Sequence, residues 1–352
     1  MKVLVLGAGR VGGLIATMLS RTGDFLVTVA DSSEEQLRRF DGAPFDAFWL
    51  DAGNARTIDD AMAGVDTVIN ACPPDVHLVI ARAARKNGLN YFDLSEDSKS
   101  LHDIRTIAKD AKAAFVPQCG LSPGFVSIVT RDVAARLQPP LDIGVRVGAL
   151  PRYPTNRLKY GLTWNTDGLF SEYTEPCDAI RNSKRVTVEP LNECEELSLD
   201  GQAYEAFTTA NGLGSLCETI EGEIRNLTFK TLRYPGHLEL IRFLMDDLGM
   251  RRRRDLFKTV FENGLPRIHQ DVVLIFITVS GRQGQRVVQE SYVRKLYAES
   301  DDHSAMQTVS AAATCTMVDL LRNGTLTRTG YVRQEDVDLA TFTGNRFGHY
   351  FV

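Results

Sequence analysis

Several things are scarce in this 352-residue sequence, and each shortage narrows what the protein does. Its six cysteines, Cys72, Cys119, Cys177, Cys194, Cys217 and Cys315, never fall into CxxC spacing. That pattern excludes a cysteine zinc cluster and offers no disulfide framework, so no metal is expected and the thiols read as reduced ones in a cytoplasmic protein. No apolar run reaches membrane-spanning length, and the first residues form a strand pattern with one lysine instead of a signal-peptide layout, so a soluble intracellular chain with no membrane partner is expected. Net charge is small and negative, −5, which argues against a nucleic acid or an anionic membrane. The one basic run, residues 251–254, reads as a solvated connection or a subunit contact. Repeats, low-complexity tracts and long linkers are also missing. With 43% hydrophobic and 24% charged residues, what remains is the composition of an ordinary globular protein, long enough for two domains.

What is present begins at once. The apolar run Val3-Leu4-Val5-Leu6 leads into Gly7-Ala8-Gly9-Arg10-Val11-Gly12 and then an amphipathic stretch over residues 13–21. Strand, GxGxxG turn and helix in that order form a dinucleotide-binding fingerprint. Gly7 allows the tight turn, Gly9 lets backbone approach a pyrophosphate, and Gly12 lets the helix pack on its strand, so that free helix N–H groups, with Arg10 and Val11 in the turn, face phosphate. A second strand over residues 25–29 ends at Ala30-Asp31, nineteen residues after Gly12. There a carboxylate accepts the adenosine ribose hydroxyls and repels a 2′-phosphate. NAD is therefore expected over NADP, with Ser32, Ser33, Arg38 and Arg39 close enough to matter. The competing role for Asp31 is an N-cap of the helix that follows.

Further strands are expected at 45–50, 67–70, 91–94 and 114–117, separated by helices at 55–63, 75–87 and 98–112, which makes a doubly wound parallel sheet of the α/β class. Loops at the carboxyl ends of such strands face the ligand. Asn70-Ala71-Cys72-Pro73-Pro74 is stiffened by its prolines and places Ala71, Cys72 and Pro73 against cofactor. Asp93-Leu94-Ser95-Glu96 supplies carboxylates, and Asp93 is a candidate catalytic or orienting acid. In Gln118-Cys119-Gly120-Leu121-Ser122-Pro123-Gly124, Ser122 reads as an N-cap and Pro123 as the first residue of a helix over 125–137, which adds Gly120 and Ser122 to the cofactor site.

From residue 142 the texture changes to strands at 143–150, 185–191, 228–234, 272–279 and 287–297 with helices at 236–248 and 254–262, an α+β pattern. A helical run over 305–322 and the tail after it return to the first domain. The organisation expected is a dinucleotide-binding domain over 1–124, completed by about 305–352, and a substrate-binding and dimerisation domain over 125–304. In this second half, Phe229-Lys230-Thr231-Leu232-Arg233-Tyr234-Pro235-Gly236-His237 brings two cations, a phenol, an imidazole and a helix start together, the chemistry that grips a carboxylate-bearing substrate. Thr231, Arg233 and Tyr234 are the expected substrate binders and Lys230 or His237 the proton acceptor. The segment over 160–173, TWNTDGLFSEY at its core, contributes Tyr173 to substrate binding and Asp167 or Glu172 to an amine. Residues 204–212, YEAFTTANG, read as a polar pocket wall or a plain strand and turn.

GAGRVG, NACPP, YFDLSED, GLSPG, TWNTDGLFSEY, YEAFTT and above all KTLRYPGH, taken in order, resemble the saccharopine dehydrogenase family, and within it most closely the L-lysine 6-dehydrogenase branch. The resemblance implies a Rossmann domain followed by an α+β substrate and dimerisation domain, a small amino-acid substrate and a second copy of the chain in a homodimer as partners, and NAD or NADP as cofactor. It implies oxidation or reduction of a carbon–nitrogen bond of an amino acid, in the lysine branch through an imine that hydrolyses to the semialdehyde. After Thr208-Thr209 this chain continues Ala210-Asn211-Gly212-Leu213-Gly214-Ser215, where lysine-type members carry more hydroxyls. Two other readings stay open: a dehydrogenase or reductase of a secondary-amine adduct such as saccharopine, and a non-catalytic NAD-binding regulator.

Overall fold

Val3, Leu4, Val5 and Leu6 are all buried, and an unbroken apolar run is what a strand covered on both faces requires. In the computed structural model, which describes residues 1–300 and 302–352, this run is β1 (Lys2–Leu6), followed by α1 (Arg10–Ser20) and β2 (Leu26–Asp31). The alternation continues through α2 (Glu34–Arg38), β3 (Asp46–Trp49), α3 (Ala55–Ala61), β4 (Thr67–Asn70), α4 (His77–Asn87), β5 (Asn90–Asp93), α5 (Ser98–Ala108) and β6 (Ala114–Val116). Every pairing among β1 to β6 is parallel. β1 and β4 are neighbours, so the strand order reverses there, and the crevice at that reversal is where open α/β sheets take ligands. α6 (Phe125–Ala134) starts two residues later than the Pro123 start read from the sequence. Gly124, at φ +127°, breaks the helical path between Pro123 and Phe125, so Ser122 is a turn residue and not the N-cap.

The second unit, Val129–Met306, is built on a mixed sheet. After β7 (Gln138–Pro151) and α7 (Thr166–Thr174) come β8 (Cys177–Arg181), β9 (Lys184–Val188), β10 (Glu195–Leu199), β11 (Gln202–Thr208), α8 (Leu216–Thr219), β12 (Asn226–Arg233), α9 (His237–Arg242), α10 (Arg254–Gly264), β13 (Asp271–Gln283) and β14 (Arg286–Tyr297). The strand order is β10-β11-β12-β7-β13-β14, with β8 and β9 alongside β12. Side chains alternate across a strand. Thr231 and Arg233 therefore share one face with their cross-strand partners Phe207 and Glu205, while Lys230 and Leu232 share the other with Thr208 and Ala206. Helices α7, α9 and α10 cover the Phe207 face through Leu169, Tyr173, Leu238, Ile241, Phe257 and Phe261. The helix expected over 236–248 is α9 plus a π-helical turn over Phe243–Asp247.

α11 (Ala305–Arg322) is buried nearly all round, with Val309, Ala311, Cys315, Met317, Val318 and Leu321 in the core, and its buried Thr314 and Thr316 hydroxyls donate to backbone carbonyls. β15 (Gly330–Tyr331) then pairs in parallel with β6 and extends the first sheet to seven strands, β15-β6-β5-β4-β1-β2-β3. The first unit accordingly comprises Met1–Ile128 and Gln307–Val352. Asp319 ties the return down: it takes ion pairs from Arg346 at 2.6 Å and Arg322 at 3.1 Å, and both arginines also reach Asp24. No helix among the described residues is long and apolar enough to cross a membrane. Replacing the nearly buried Asp319 by Ala leaves Arg322 and Arg346 with Asp24 as their one remaining counter-charge among these ion pairs, and the expected loss is about 2 kcal/mol. It would be read as a lower denaturation midpoint and as earlier proteolysis in residues 323–352.

Candidate functional site

The first unit gathers its polar groups at the carboxyl ends of the strands. Gly7 sits at φ +101°, a conformation that favours glycine, and a Cβ there would lie 2.6 Å from the Ala71 carbonyl oxygen. A Cβ on Gly12 would lie 2.0 Å from the Gly7 oxygen, whereas one on Gly9 would meet nothing within 4 Å. Gly7 and Gly12 are thus packing glycines, and Gly9 leaves an open cradle at the start of α1. Gly9 caps α1 without a side chain, and Arg10, Val11 and Gly12 are its first turn, where backbone N–H groups favour an anion. The loop after β4 closes the cradle from one side, with Ala71 and Cys72 backbone against Gly7. Cys72 N–H bonds Asn70 Oδ1 at 3.1 Å and the His77 ring donates to the Cys72 carbonyl at 2.9 Å. Pro73 caps the short 3-10 turn that leads into α4.

Asp31 stands next to this turn. Its Oδ2 accepts from Ala8 N–H at 2.6 Å and its Oδ1 from Ser33 N–H at 2.7 Å. The N-cap of α2 is Ser33, so Asp31 is left as the acid beside the glycine turn, with lone pairs beyond the two already used. These residues fit a dinucleotide. Asp93, at the end of β5, is fully buried, and its Oδ1 accepts from Ser95 N–H, the Ser95 hydroxyl and Gln118 N–H between 2.7 and 2.9 Å. It thereby stitches the loops after β5 and β6. Gly120 and Gly124 close the second of these loops through a bridge, with Ser122 in the turn between them.

In the second unit the KTLRYPGH segment does not converge as its sequence implies. The alternation of β12 separates Lys230 from Arg233, and Tyr234 lies with Leu232 and Tyr204, its hydroxyl bonded to the Pro151 carbonyl at 3.0 Å. Lys230 meets Glu195 at 3.6 Å, and Glu195 also holds Arg146. The start of α9 is not open to a ligand carboxylate either. Glu205, directly across from Arg233, accepts from Gly236 N–H at 2.9 Å and Leu238 N–H at 2.6 Å. Asp167 is held by Arg254 and Lys258 at 2.8 and 2.7 Å, which removes it as an amine receptor.

What does come together is Arg233, Glu172, Tyr173, His237, Thr231 and Tyr160. Arg233 is 2% exposed. It donates to Thr231 Oγ1 at 2.8 Å, the Leu232 carbonyl at 2.9 Å, Tyr173 Oη at 3.4 Å and Glu172 Oε2 at 3.2 Å, and lies 5.0 Å from the Tyr160 ring centroid, a cation–π contact. His237 bonds the Leu158 carbonyl through Nδ1 and the Tyr173 hydroxyl through Nε2, both at 3.0 Å. A carbonyl only accepts, so Nδ1 carries the proton; burial and the nearby Arg233 charge push the imidazole down to about 3, so Nε2 is an acceptor and Tyr173 donates to it. His237 therefore positions Tyr173 and has no free nitrogen for a substrate proton. Burial pushes the Glu172 carboxyl up to about 7, against the pull of Arg233. Glu195 lies outside the segments that stand out in the sequence, while Tyr160 and Glu205 lie inside two of them, 160–173 and 204–212, without a role of their own; register opposite Arg233 points to Glu205.

A Rossmann unit with a glycine cradle and a neighbouring acid, joined to a mixed-sheet unit with a buried polar network, is the architecture of an NAD(P)-binding oxidoreductase. Residues 3–116 match the model of the saccharopine dehydrogenase NADP binding domain, and residues 120–345 match that of the saccharopine dehydrogenase C-terminal domain. The chain belongs to the saccharopine dehydrogenase family. Mitochondrial alpha-aminoadipic semialdehyde synthase of Mus musculus is 24% identical over 257 residues, covering 67% of this chain and 27% of that protein; the Rattus norvegicus protein matches at the same identity over 261 residues. The match thus spans about a quarter of these relatives' length. The fold is shared with apo saccharopine dehydrogenase (L-Glu forming) from Saccharomyces cerevisiae, TM-score 0.79 at 16% identity over 97% of this chain and 95% of that one. An engineered D-amino acid dehydrogenase bound to NADP+ has a TM-score of 0.51 at 11% identity, covering 98% and 97% of the two chains.

Tyr173→Phe removes the donor to His237 and the acceptor of Arg233 Nε–H at once. About 1–2 kcal/mol of stability should be lost, seen as a lower denaturation midpoint, and the His237 Nε2 resonance in nitrogen NMR should shift as its donor disappears.

Proposed function

We propose that this protein is an NAD(P)-dependent amino-acid dehydrogenase that oxidises a carbon–nitrogen bond to an imine, with the lysine 6-amine as its first substrate. The observation that carries the reading is Glu172, a buried carboxyl with a proton affinity near neutrality beside a permanent cation. A carbon bearing an ammonium cannot release hydride, because the nitrogen has no lone pair to form the double bond. A lysine amine titrates near ~10.4 in water, so the site must take a proton from it. Arg233 holds Glu172 through Oε2 and leaves Oε1 for that proton, while Thr231, Tyr173 and Tyr160 keep the guanidinium in place. His237 fixes Tyr173, and Lys230 stays paired with Glu195 on the other face of the sheet. When bound, the dinucleotide supplies the hydride acceptor; Gly9, Ala71, Cys72 and Asp31 would hold it, and Gly7 and Gly12 shape the turn that presents them. We read Asp31 as favouring NAD, since its charge opposes a 2′-phosphate. The same reading makes the working assembly a homodimer and the partner a small amino acid.

A second reading, cleavage of a secondary-amine adduct of the saccharopine type, is favoured by the alpha-aminoadipic semialdehyde synthase relatives. Both use the same proton handling at Glu172. Following NADH and NADPH absorbance with L-lysine, saccharopine and other amino acids tests them. Turnover of lysine supports the first reading, turnover of saccharopine alone replaces it with the second, and silence with tight NAD binding leaves a regulator.

Activity should rise with pH through an ionisation near 7, as Glu172 becomes the carboxylate. Glu172→Gln should lower kcat/KM by roughly 100-fold and erase that limb of the profile; a profile unchanged in shape would remove Glu172 from the reaction. Asp31→Ser should improve the NADP-to-NAD affinity ratio by about 10-fold, measured by cofactor titration.

A further inference from the structure

Trp49 is one of two tryptophans in the chain and is 56% exposed. An indole is normally the kind of surface a fold covers, yet this one stands on β3, the outermost strand of its sheet, where all four residues are exposed. It is not a loose side chain. Its Nε1–H donates to the Ser32 carbonyl at 2.9 Å, which pins the indole against the loop that follows β2. Its backbone is paired with Asp31, and β2 is in turn paired with β1, which ends at the glycine turn.

Three adjacent strand ends thus carry, in order, the open Gly9 cradle, the Asp31 carboxylate and the Trp49 indole. Neighbouring strands lie about 4.8 Å apart, close to the step from phosphate to ribose and from ribose to base in a nucleotide. We propose that Trp49 is the platform for the adenine base, its indole stacking on the purine while Asp31 meets the ribose and the glycine turn meets the pyrophosphate. This rests on the reading of the first unit as the dinucleotide site and adds to it the residue that holds the base. Stacking is indifferent to the ribose 2′ group, so Trp49 contributes to NAD and NADP alike, and discrimination between them is left to the loop after β2.

The experiment is calorimetric titration of the whole chain with ADP and with nicotinamide mononucleotide, for the wild type, Trp49→Ala and Trp49→Phe. Because the residues of β3 are exposed, truncation at Trp49 opens no core cavity, and a melting curve of each variant checks this. Loss of base stacking predicts an ADP Kd about 10-fold weaker in Trp49→Ala, largely recovered in Trp49→Phe, with mononucleotide binding unchanged. Quenching of tryptophan fluorescence by ADP should be present in the wild type and lost in Trp49→Phe. Equal ADP affinity in wild type and Trp49→Ala, or quenching that survives in Trp49→Phe, overturns the assignment while leaving the nucleotide site standing. A wild type that binds neither ADP nor NAD(P) overturns the nucleotide reading itself.

Discussion

A guanidinium that is almost wholly out of water has to be met on every side, and Arg233 organises the second unit for that reason. Its charge cannot be neutralised by loss of a proton, so burial is tolerable only with fixed acceptors and a counter-charge. Thr231, the Leu232 carbonyl and Tyr173 supply acceptors, the Tyr160 face supplies a cation–π contact, and Glu172 supplies the charge. Each of these is then constrained in turn. Tyr173 accepts from Arg233 and must donate elsewhere, and His237 is the acceptor, anchored by Leu158. The result is a network in which Arg233 donates along two branches, one running through Tyr173 and His237 to the Leu158 carbonyl and the other ending at Glu172, whose proton affinity is lifted into the neutral range by the same burial that holds it in place.

The first unit solves a different problem. Its glycines remove side chains where backbone must approach backbone, at Gly7 against Ala71 and at Gly12 against Gly7, and leave open space at Gly9. Asp31 reinforces the turn by accepting from Ala8 N–H, so the acid at the end of β2 also keeps the glycine turn in shape. Asp93 does a comparable service for the loops after β5 and β6, and Gln334 reaches from the C-terminal return to bond the Pro117 carbonyl at 2.7 Å and Cys119 Sγ at 3.2 Å. The carboxyl edge of the sheet is therefore held by side chains that come from distant stretches of sequence.

How much of this is legible in the sequence depends on how far apart the interacting groups lie along the chain. The β1 run, the GxGxxG turn and Asp31 are short-range features, and the structure places them together because strand, turn and helix geometry leave little choice. The span of α11 is likewise readable, since a long apolar helix needs no partner to be recognised. The KTLRYPGH segment is the opposite case. Its residues are adjacent in sequence, and adjacency suggested a single pocket, yet a strand turns successive side chains to opposite faces, so Lys230 goes to Glu195 and Arg233 to Glu172.

The sequence by itself determined the parallel αβ alternation, the glycine cradle with its acid, and the family to which the chain belongs, because each is written in local periodicity and spacing. Only the tertiary structure decided that Glu205 occupies the start of α9, that His237 is a neutral positioning group, and that Glu172 is the carboxyl poised near neutrality. Those outcomes depend on burial and on cross-strand register, and both arise only when segments remote in sequence pack together and exclude water.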